Sequence, residues 1–237
     1  MGKKTAMVLG KSYPEPTFPW YLPAMRGEPH AIDVGRREIP AELFIPPSAD
    51  DSEGEGDAGP WPGVLVLHEI FGLNSNVRAD ARDLARHGFL TLAPDLYDGH
   101  ATRYCMRMFF SPAALAGRGD FEPAAEIHGC LDYLKDLPQC NGKLGMIGMC
   151  LTGGFVLQMA RREDMAAPVV FHHSFGVRRG GMPARDAADV KNVIQGHFAE
   201  QDWALCPKSR VKALSRDLGE RLECHSYEDI GHGIRSR

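Results

Sequence analysis

The sequence predicts an α/β fold, a mainly parallel sheet with helices on both faces. From Trp61 onward, short apolar segments rich in Val, Ile and Leu alternate with amphipathic segments of helical period. This alternation is typical of parallel strands joined by helical crossovers. A second observation is a strand-to-helix junction with a cysteine at its tip, in residues 145–155, GMIGMCLTGGF. A length of 237 residues with 43% hydrophobic composition suffices for one substantial core.

The elements follow in a regular order. Residues 1–29 hold five prolines and are predicted as an irregular arm, and residues 30–237 as a single domain. That domain opens with a β-hairpin over 30–46, whose residues alternate between apolar and polar, and an acidic, glycine-rich loop over 48–59. Strands are then predicted at 63–68, 89–93, 143–148, 167–173, 191–196 and 221–227, and helices at 75–87, 121–136, 151–162 and 207–218.

Composition narrows the classes of partner and compartment. Lys plus Arg total 27 against 31 acidic residues, and no basic block is dense enough to indicate nucleic acid or an anionic membrane. The six cysteines lack C-x-x-C spacing and are typical of reduced thiols. No apolar stretch has the length of a signal peptide or membrane span. We therefore predict a cytoplasmic protein without a nucleic-acid or membrane partner, with monomer and homodimer both open.

The cysteine junction has the features of a nucleophile elbow, a tight turn that lifts a reactive side chain above the sheet. Such a turn needs small neighbours, which Gly148 before Cys150 and Gly153 and Gly154 after it supply. The pattern departs from G-x-S-x-G because Cys replaces Ser and Thr152 stands at the second glycine. The N-terminus of the following helix favours a thiolate. The alternative is a buried, inert cysteine.

Two further side chains follow predicted strands and complete a candidate triad. Reactive groups of a parallel sheet gather at the carboxyl ends of its strands. Cys150, Asp202 and His232 follow such strands, in the nucleophile, acid, base order of the α/β-hydrolase fold. His232 is the candidate base, and a merely solvated loop histidine is the alternative. Asp202 would orient the imidazole, and Glu200 is the second candidate for that role.

Acyl transfer also needs two donors that stabilise the oxyanion. We predict the backbone N–H groups of Leu151, after the nucleophile, and Ile70, in the loop after the first main strand. Glu69 beside them is unusual, because a carboxylate at the end of an apolar strand must be protonated or find a partner. A surface-facing glutamate is the alternative.

No metal site and no cofactor are predicted. His68 and Glu69 lack the second histidine that metalloprotease spacing requires. His172 and His173 are adjacent on a predicted strand, so their side chains point to opposite faces of the sheet.

With these residues in place, the chain resembles the dienelactone hydrolase family, the carboxymethylenebutenolidase-like α/β-hydrolases. The resemblance covers residues 61–232, with the hairpin at 30–46 as the family's opening strands. It rests on HEIFGLN at 68–74, APDLY at 93–97, GMCLTGG at 148–154, Gly196-His197 with Asp202, and Gly231-His232. It implies a Cys150–His232–Asp202 triad that hydrolyses an ester or lactone through an acyl-thioester. It also implies that Glu69 contacts the nucleophile and gates its ionisation.

One departure from the family concerns the substrate carboxylate. Family members that act on the diene-lactone acid resemble one another in an arginine just after Asp-Leu-Tyr and another four residues after the histidine. Here Asp98 follows Tyr97, and Ser236 stands at the second place. Arg103, Arg235 and Tyr97 are the candidate substrate-binding residues. A ligand-binding protein without turnover and a thiol sensor using Cys150 are the alternatives to a hydrolase.

Overall fold

An eight-stranded mixed sheet organises the protein. The computed structural model describes residues 7–8, 11–12, 26–47, 59–99, 122–150, 152–173, 189–203 and 205–232. The strands are β1 Met7–Val8, β2 Lys11–Ser12, β3 Glu28–Asp33, β4 Glu38–Phe44, β5 Trp61–Val66, β6 Leu90–Pro94, β7 Cys140–Cys150, β8 Met165–His173, β9 Ile194–Ala199 and β10 Leu222–Tyr227. The helices are α1 Ser75–Arg86, α2 Glu122–Asp136, α3 Gly153–Met159 and α4 Lys208–Leu218.

The strand order is β10-β9-β8-β7-β5-β6-β4-β3, and β1 pairs separately with β2. Strands β5 to β10 run parallel to one another, whereas β4 is antiparallel to both β3 and β6. The predicted hairpin is therefore present, with Ile32 opposite Ile39. The α/β prediction is confirmed. Because β7 lies in the middle of the sheet, a residue at its carboxyl end is flanked by neighbouring strand ends on both sides.

Alternation along β5 explains why both faces of the sheet carry helices. Val64 and Val66 pack in one apolar cluster with buried side chains of α1. Leu65, between them, packs in a second cluster with side chains of α2, including Ile127 and Leu131. Successive strand residues point to opposite faces, so each face of β5 is covered by a different helix. Among the described residues, no helix is both long enough and apolar enough to cross a bilayer.

Two elements around the elbow differ from their predicted bounds. β7 is longer than the predicted 143–148 because β5 and β8 pair with it on both sides. α3 spans seven residues and is shorter than the predicted 151–162. Between the end of α3 and β8, Arg162 Nε donates to Asp164 Oδ1 at 2.8 Å. The chain then enters β8 directly.

Candidate active site

Cys150 lies at the tip of a strained turn. It ends β7 with a φ of 53°, in the left-handed region that is unfavourable for a residue with a side chain. Such strain costs about 1–3 kcal/mol and persists only where the surroundings enforce it. A Cβ at Gly148 would approach Val156 Cγ2 to 2.6 Å and the Thr152 carbonyl oxygen to 2.8 Å. Gly148 therefore allows the chain after Cys150 to fold back over β7.

Thr152 occupies the position of the usual second glycine, and its hydrogen bonds stabilise the elbow. The buried Thr152 hydroxyl accepts from the Met149 N–H and donates to the Met149 carbonyl oxygen, each at 3.1 Å. The Thr152 N–H also donates to that carbonyl at 3.0 Å. Thr152 thus closes the turn around Cys150 through its own side chain. Leu151, the predicted oxyanion donor, lies outside the described residues.

Cys150, His232 and Asp202 form a contiguous hydrogen-bonded row. His232 Nε2 lies 2.8 Å from Cys150 Sγ, and His232 Nδ1 lies 2.5 Å from Asp202 Oδ2. A carboxylate accepts, so Nδ1 carries the hydrogen and Nε2 faces the sulfur. Asp202 is only 3% exposed, and its Oδ1 accepts from the Leu205 N–H at 3.0 Å. This is the arrangement in which a base can take the thiol proton while an acid orients it.

The loops that carry the acid and the base are bonded to each other. Asp202 follows β9 and His232 follows β10, and these strands are parallel neighbours. Beyond the strands, the Glu200 N–H donates to the Tyr227 carbonyl oxygen, and the Gln201 N–H to that of Ile230, each at 3.0 Å. The two backbone bonds fix the spacing between the acid and the base.

The same contacts change the pKa values of both residues. Burial lowers the pKa of His232, but its hydrogen bonds to Cys150 and Asp202 prevail and raise that pKa to about 9. For Asp202, burial acts to raise the pKa. Hydrogen bonds from His232 and from the Leu205 and Cys206 N–H groups outweigh burial and hold the pKa of Asp202 below its ordinary value. An imidazolium beside the sulfur favours a thiolate.

Glu200, the alternative acid, is held elsewhere. Its Oε2 accepts from Lys208 Nζ at 2.6 Å, in an ion pair at the start of α4. The carboxylate that reaches His232 is that of Asp202. Of the two candidates, the geometry favours Asp202.

The loop after β5 brings Glu69 toward the same row. Burial raises the pKa of Glu69, and the charge of His232 acts against that rise. The Glu69 carboxylate therefore lies within electrostatic range of the base and is not a surface-facing group remote from the site. Ile70, the other predicted oxyanion donor, follows in the turn and is 42% exposed. The turn closes when Gly72, with a φ of 72°, donates its N–H to the Glu69 carbonyl oxygen.

His68 has a structural role that the sequence analysis missed. It is fully buried, its Nδ1 lies 2.8 Å from the Glu69 carbonyl oxygen, and its Nε2 lies 3.1 Å from the Leu96 N–H. A carbonyl only accepts and an amide only donates, so His68 is neutral with its hydrogen on Nδ1. Burial also lowers its pKa. The ring thereby joins the Glu69 loop to the loop after β6.

Tyr97, a candidate substrate-binding residue, is buried beside this histidine. Its ring centroid lies 4.5 Å from that of His68 in an edge-on arrangement, and Tyr97 is 4% exposed. Its contact with substrate stays a prediction. Arg103 and Arg235, the other two candidates, lie outside the described residues.

A second histidine beside the base was also missed. His172, near the end of β8, is 2% exposed, has a φ of 37°, and its ring centroid lies 4.2 Å from that of His232. Burial, and then the charge of His232, lower the pKa of His172 to about 4. The sequence analysis compared His172 only with His173. Its place at the carboxyl end of the strand beside β7 is the signal that could have found it.

Large apolar side chains are exposed on both segments that flank the row. Phe71, two residues after Glu69, is 74% exposed, and Trp203, directly after Asp202, is 82% exposed. Ile70 and Leu205 are exposed to a smaller extent. Exposed apolar groups of this size often mark surfaces that contact a ligand or a partner.

Comparison with known proteins agrees with this geometry. The model of the dienelactone hydrolase family matches residues 53–237. A carboxymethylenebutenolidase homolog from Mus musculus is 32% identical over 189 residues, covering 76% of this chain and 73% of its own. A carboxymethylenebutenolidase from Pseudomonas putida is 25% identical over 195 residues, covering 76% and 78%.

Solved structures show the same fold. A dienelactone hydrolase from Anabaena variabilis aligns with a TM-score of 0.61 at 18% identity, covering 88% of each chain. A dienelactone hydrolase-like promiscuous phosphotriesterase from metagenomic libraries aligns with a TM-score of 0.68 at 23% identity, covering 87% of this chain and 83% of its own. The chain therefore belongs to the dienelactone hydrolase family, whose members are hydrolases of ester and lactone bonds.

Proposed function

We propose that this protein hydrolyses neutral carboxylic esters or lactones, with Cys150 as the nucleophile, His232 as the general base and acid, and Asp202 as the residue that orients His232. The observation that carries the proposal is the unbroken contact from Asp202 Oδ2 through His232 to Cys150 Sγ. The proposed reaction requires no cofactor, because thiol, imidazole and water carry out every proton transfer.

The reaction proceeds in two halves. The Cys150 thiolate attacks the carbonyl carbon and forms a C–S bond, while His232 holds the thiol proton. Collapse of the tetrahedral intermediate breaks the C–O bond, and His232 donates that proton to the departing alkoxide. In the second half, His232 takes a proton from water, the hydroxide attacks the thioester carbonyl, and the thiolate leaves. The products are a carboxylic acid and an alcohol, or a hydroxy acid from a lactone.

Two further groups act on the charge that develops. The N–H groups of Ile70 and Leu151 donate to the oxyanion, a contribution of about 2.7–4 kcal/mol per donor in other hydrolases. Glu69 opposes premature ionisation of the thiol, because a carboxylate beside a thiolate is a repulsive pair. The charge of His232 acts on the pKa of Glu69, which supports a position of that carboxyl group close to the proposed triad.

The apolar surface supports the choice of a neutral substrate. Phe71 and Trp203 offer aromatic area to an acyl or alkoxy group, and neither side chain can pair with a carboxylate. Transfer of an unpaired anion into such surroundings is costly. The substrate class therefore follows from the exposed side chains as well as from the shifted arginine positions.

A reducing compartment agrees with this chemistry. None of the five described cysteines, Cys130, Cys140, Cys150, Cys206 and Cys224, forms a disulfide. A thiol nucleophile also needs to stay reduced to act. We propose the cytoplasm as the site of action.

The experiment is hydrolysis of p-nitrophenyl acetate by the wild type, Cys150→Ala and Cys224→Ala, each with and without prior treatment with iodoacetamide. Cys224 is an exposed thiol on β10 and serves as the matched control. We expect Cys150→Ala and alkylated wild type to lose at least about 10³-fold in kcat/KM, since members of such a triad act as a unit. Cys224→Ala should keep wild-type activity and remain sensitive to alkylation.

Other outcomes identify the alternatives. Near wild-type kcat/KM in Cys150→Ala rules out the thiol as the nucleophile. Absence of turnover in folded wild type favours a binding protein. A reversible, peroxide-dependent adduct on Cys150 without turnover favours a thiol sensor.

A further inference from the structure

Three side chains around the proposed nucleophile have the composition of a metal site. Cys150, His172 and His232 each offer one ligand atom, and all three atoms lie within 4.8 Å of one another. Cys150 and His172 are buried, and the side chain of His232 is 26% exposed. One sulfur and two imidazole nitrogens are ligands that zinc prefers.

His172 is the residue that the hydrolytic mechanism leaves unexplained. Both of its nitrogens are buried, and neither has a hydrogen-bond partner among the described residues. A buried polar group without a partner is destabilising, so one that persists needs a reason. His172 also adopts a positive φ, which adds strain at the same residue. An imidazole held in this way has a lone pair available for a ligand.

We propose that Cys150, His172 and His232 together bind a Zn²⁺ ion, and that the bound ion blocks the nucleophile. Three protein ligands with a water in the fourth position make up the usual open tetrahedral zinc site. Asp202, on the other nitrogen of His232, supplies the carboxylate that commonly orients a zinc-bound histidine.

The pair formed by Cys150 and His232 reaches zinc geometry after a small movement. Bond lengths of about 2.3 Å to sulfur and about 2.0–2.1 Å to nitrogen place the two atoms about 3.5 Å apart across a tetrahedral angle. Cys150 Sγ and His232 Nε2 are 2.8 Å apart, so the pair must separate by about 0.7 Å. His232 lies in a loop and is partly exposed, so its ring can make this shift.

Zinc binding and hydrolysis exclude each other, because both use the sulfur and the same imidazole nitrogen. The inhibition rests on the proposed function, whereas the binding itself does not. The two are therefore measured separately.

Binding is measured with the full chain, freed of metal by a chelator, by calorimetric titration with Zn²⁺ and by the thiolate-to-metal absorption band of Co²⁺ in its place. We expect one ion per chain. His172→Asn and Cys150→Ser should each weaken Zn²⁺ binding by at least about tenfold, and Cys150→Ser should abolish the Co²⁺ band. His225→Asn is the matched control, since His225 stacks on His197 and is not one of the three proposed ligands. Cys224→Ser tests the exposed thiol.

Inhibition is measured as the rate of ester hydrolysis in rising Zn²⁺, relative to each protein's own rate without zinc. Wild type, His225→Asn and Cys224→Ser should be inhibited and restored by EDTA, and His172→Asn should resist inhibition by at least about tenfold. Unchanged affinity in folded His172→Asn, or equal losses in the controls, overturns the site.

Two outcomes keep the binding separate from folding and from turnover. If His172→Asn fails to fold, His172→Gln replaces it, and a Co²⁺ band retained in Cys150→Ser still overturns the proposal. Zinc binding that follows the expected pattern without any hydrolysis overturns the proposed function and supports the metal site.

Discussion

At the scale of single residues, the contacts of His232 predict a pH dependence for the proposed reaction. Burial opposes its protonation, but contacts with Cys150 and Asp202 raise its pKa to about 9. In the proposed reaction the His232 imidazolium protonates the leaving group, and this imidazolium is lost as pH rises through about 9. We expect kcat/KM for ester hydrolysis to fall on the alkaline side with an apparent pKa near that value.

The raised pKa of His232 also contributes to the stability of the folded protein, and its direction determines how that contribution depends on pH. The pKa of His232 in the folded protein lies above its unfolded value of 6.5. The contribution is therefore fully present below about pH 6.5 and is lost as pH rises through about 9. Urea midpoints of wild type and His232→Gln, measured between pH 6 and pH 10, should converge with rising pH. A gap that widens with pH contradicts this assignment.

The choice of acid gives a second test at this scale. Asp202→Asn should lower kcat/KM strongly, though about a hundredfold less than His232→Ala, since the acid only orients and stabilises the imidazole. Glu200→Gln should change it little, because Glu200 pairs with Lys208 and not with His232. Steady-state kinetics on one ester compares the three variants. A damaging Glu200→Gln with a silent Asp202→Asn would show that the carboxylates have been assigned in the wrong order.

At the scale of elements, the loops after β5 and β6 depend on each other. His68 bonds the Glu69 carbonyl oxygen and the Leu96 N–H, while Arg37 Nη2 donates to the Leu96 carbonyl oxygen at 2.8 Å. Arg37 in turn pairs with the buried Glu126 of α2 through two hydrogen bonds. The turn of the opening hairpin thereby supports the loop that carries Ile70.

His68→Ala should therefore weaken both folding and catalysis. It removes two buried hydrogen bonds and leaves a cavity, and we expect a loss of about 2–4 kcal/mol in the free energy of unfolding. His87→Ala, at the exposed end of α1, is the control and should stay within about 0.5 kcal/mol. Urea unfolding measures the stabilities, and kcat/KM at a temperature where both variants are folded measures the catalytic effect. Equal stability of the two variants would show that His68 does not join the loops.

The sequence predicted most of the elements because their periodicity is local. The apolar run Val64, Leu65 and Val66 is enough to predict a buried strand. The order of Cys150, Asp202 and His232 along the chain predicts that all three lie at the same edge of the sheet. The positions of His172 and His68 in the site were not predicted, because each contacts a group that is distant in sequence. His172 meets a base 60 positions later, and His68 bonds a backbone group 28 positions later. Such contacts depend on strand order, which periodicity does not specify.

At the scale of the whole molecule, the proposed site lies at the carboxyl ends of the parallel strands, and the groups exposed there bear on the choice of substrate. Phe71 and Trp203 flank the triad on segments from opposite sides of β7, and both are largely exposed. The two arginine positions that hold a substrate carboxylate in the resembled enzymes are occupied here by Asp98 and Ser236. A carboxylate at this edge would lose hydration without those partners, at a cost of about 1–3 kcal/mol or more.

We therefore expect a neutral ester or lactone to be hydrolysed at least as well as the corresponding free acid. The measurement is kcat/KM for a lactone acid and its methyl ester, in wild type, Arg103→Ala and Arg235→Ala. Arg216→Ala is the control, since Arg216 pairs with Asp217 on the exposed face of α4. If Arg103 or Arg235 compensates for the shifted positions, wild type will prefer the acid and one of these two substitutions alone will abolish that preference. That result would restore a diene-lactone acid as the substrate, because discrimination for the anion would then depend on an arginine that the motif spacing had placed out of register.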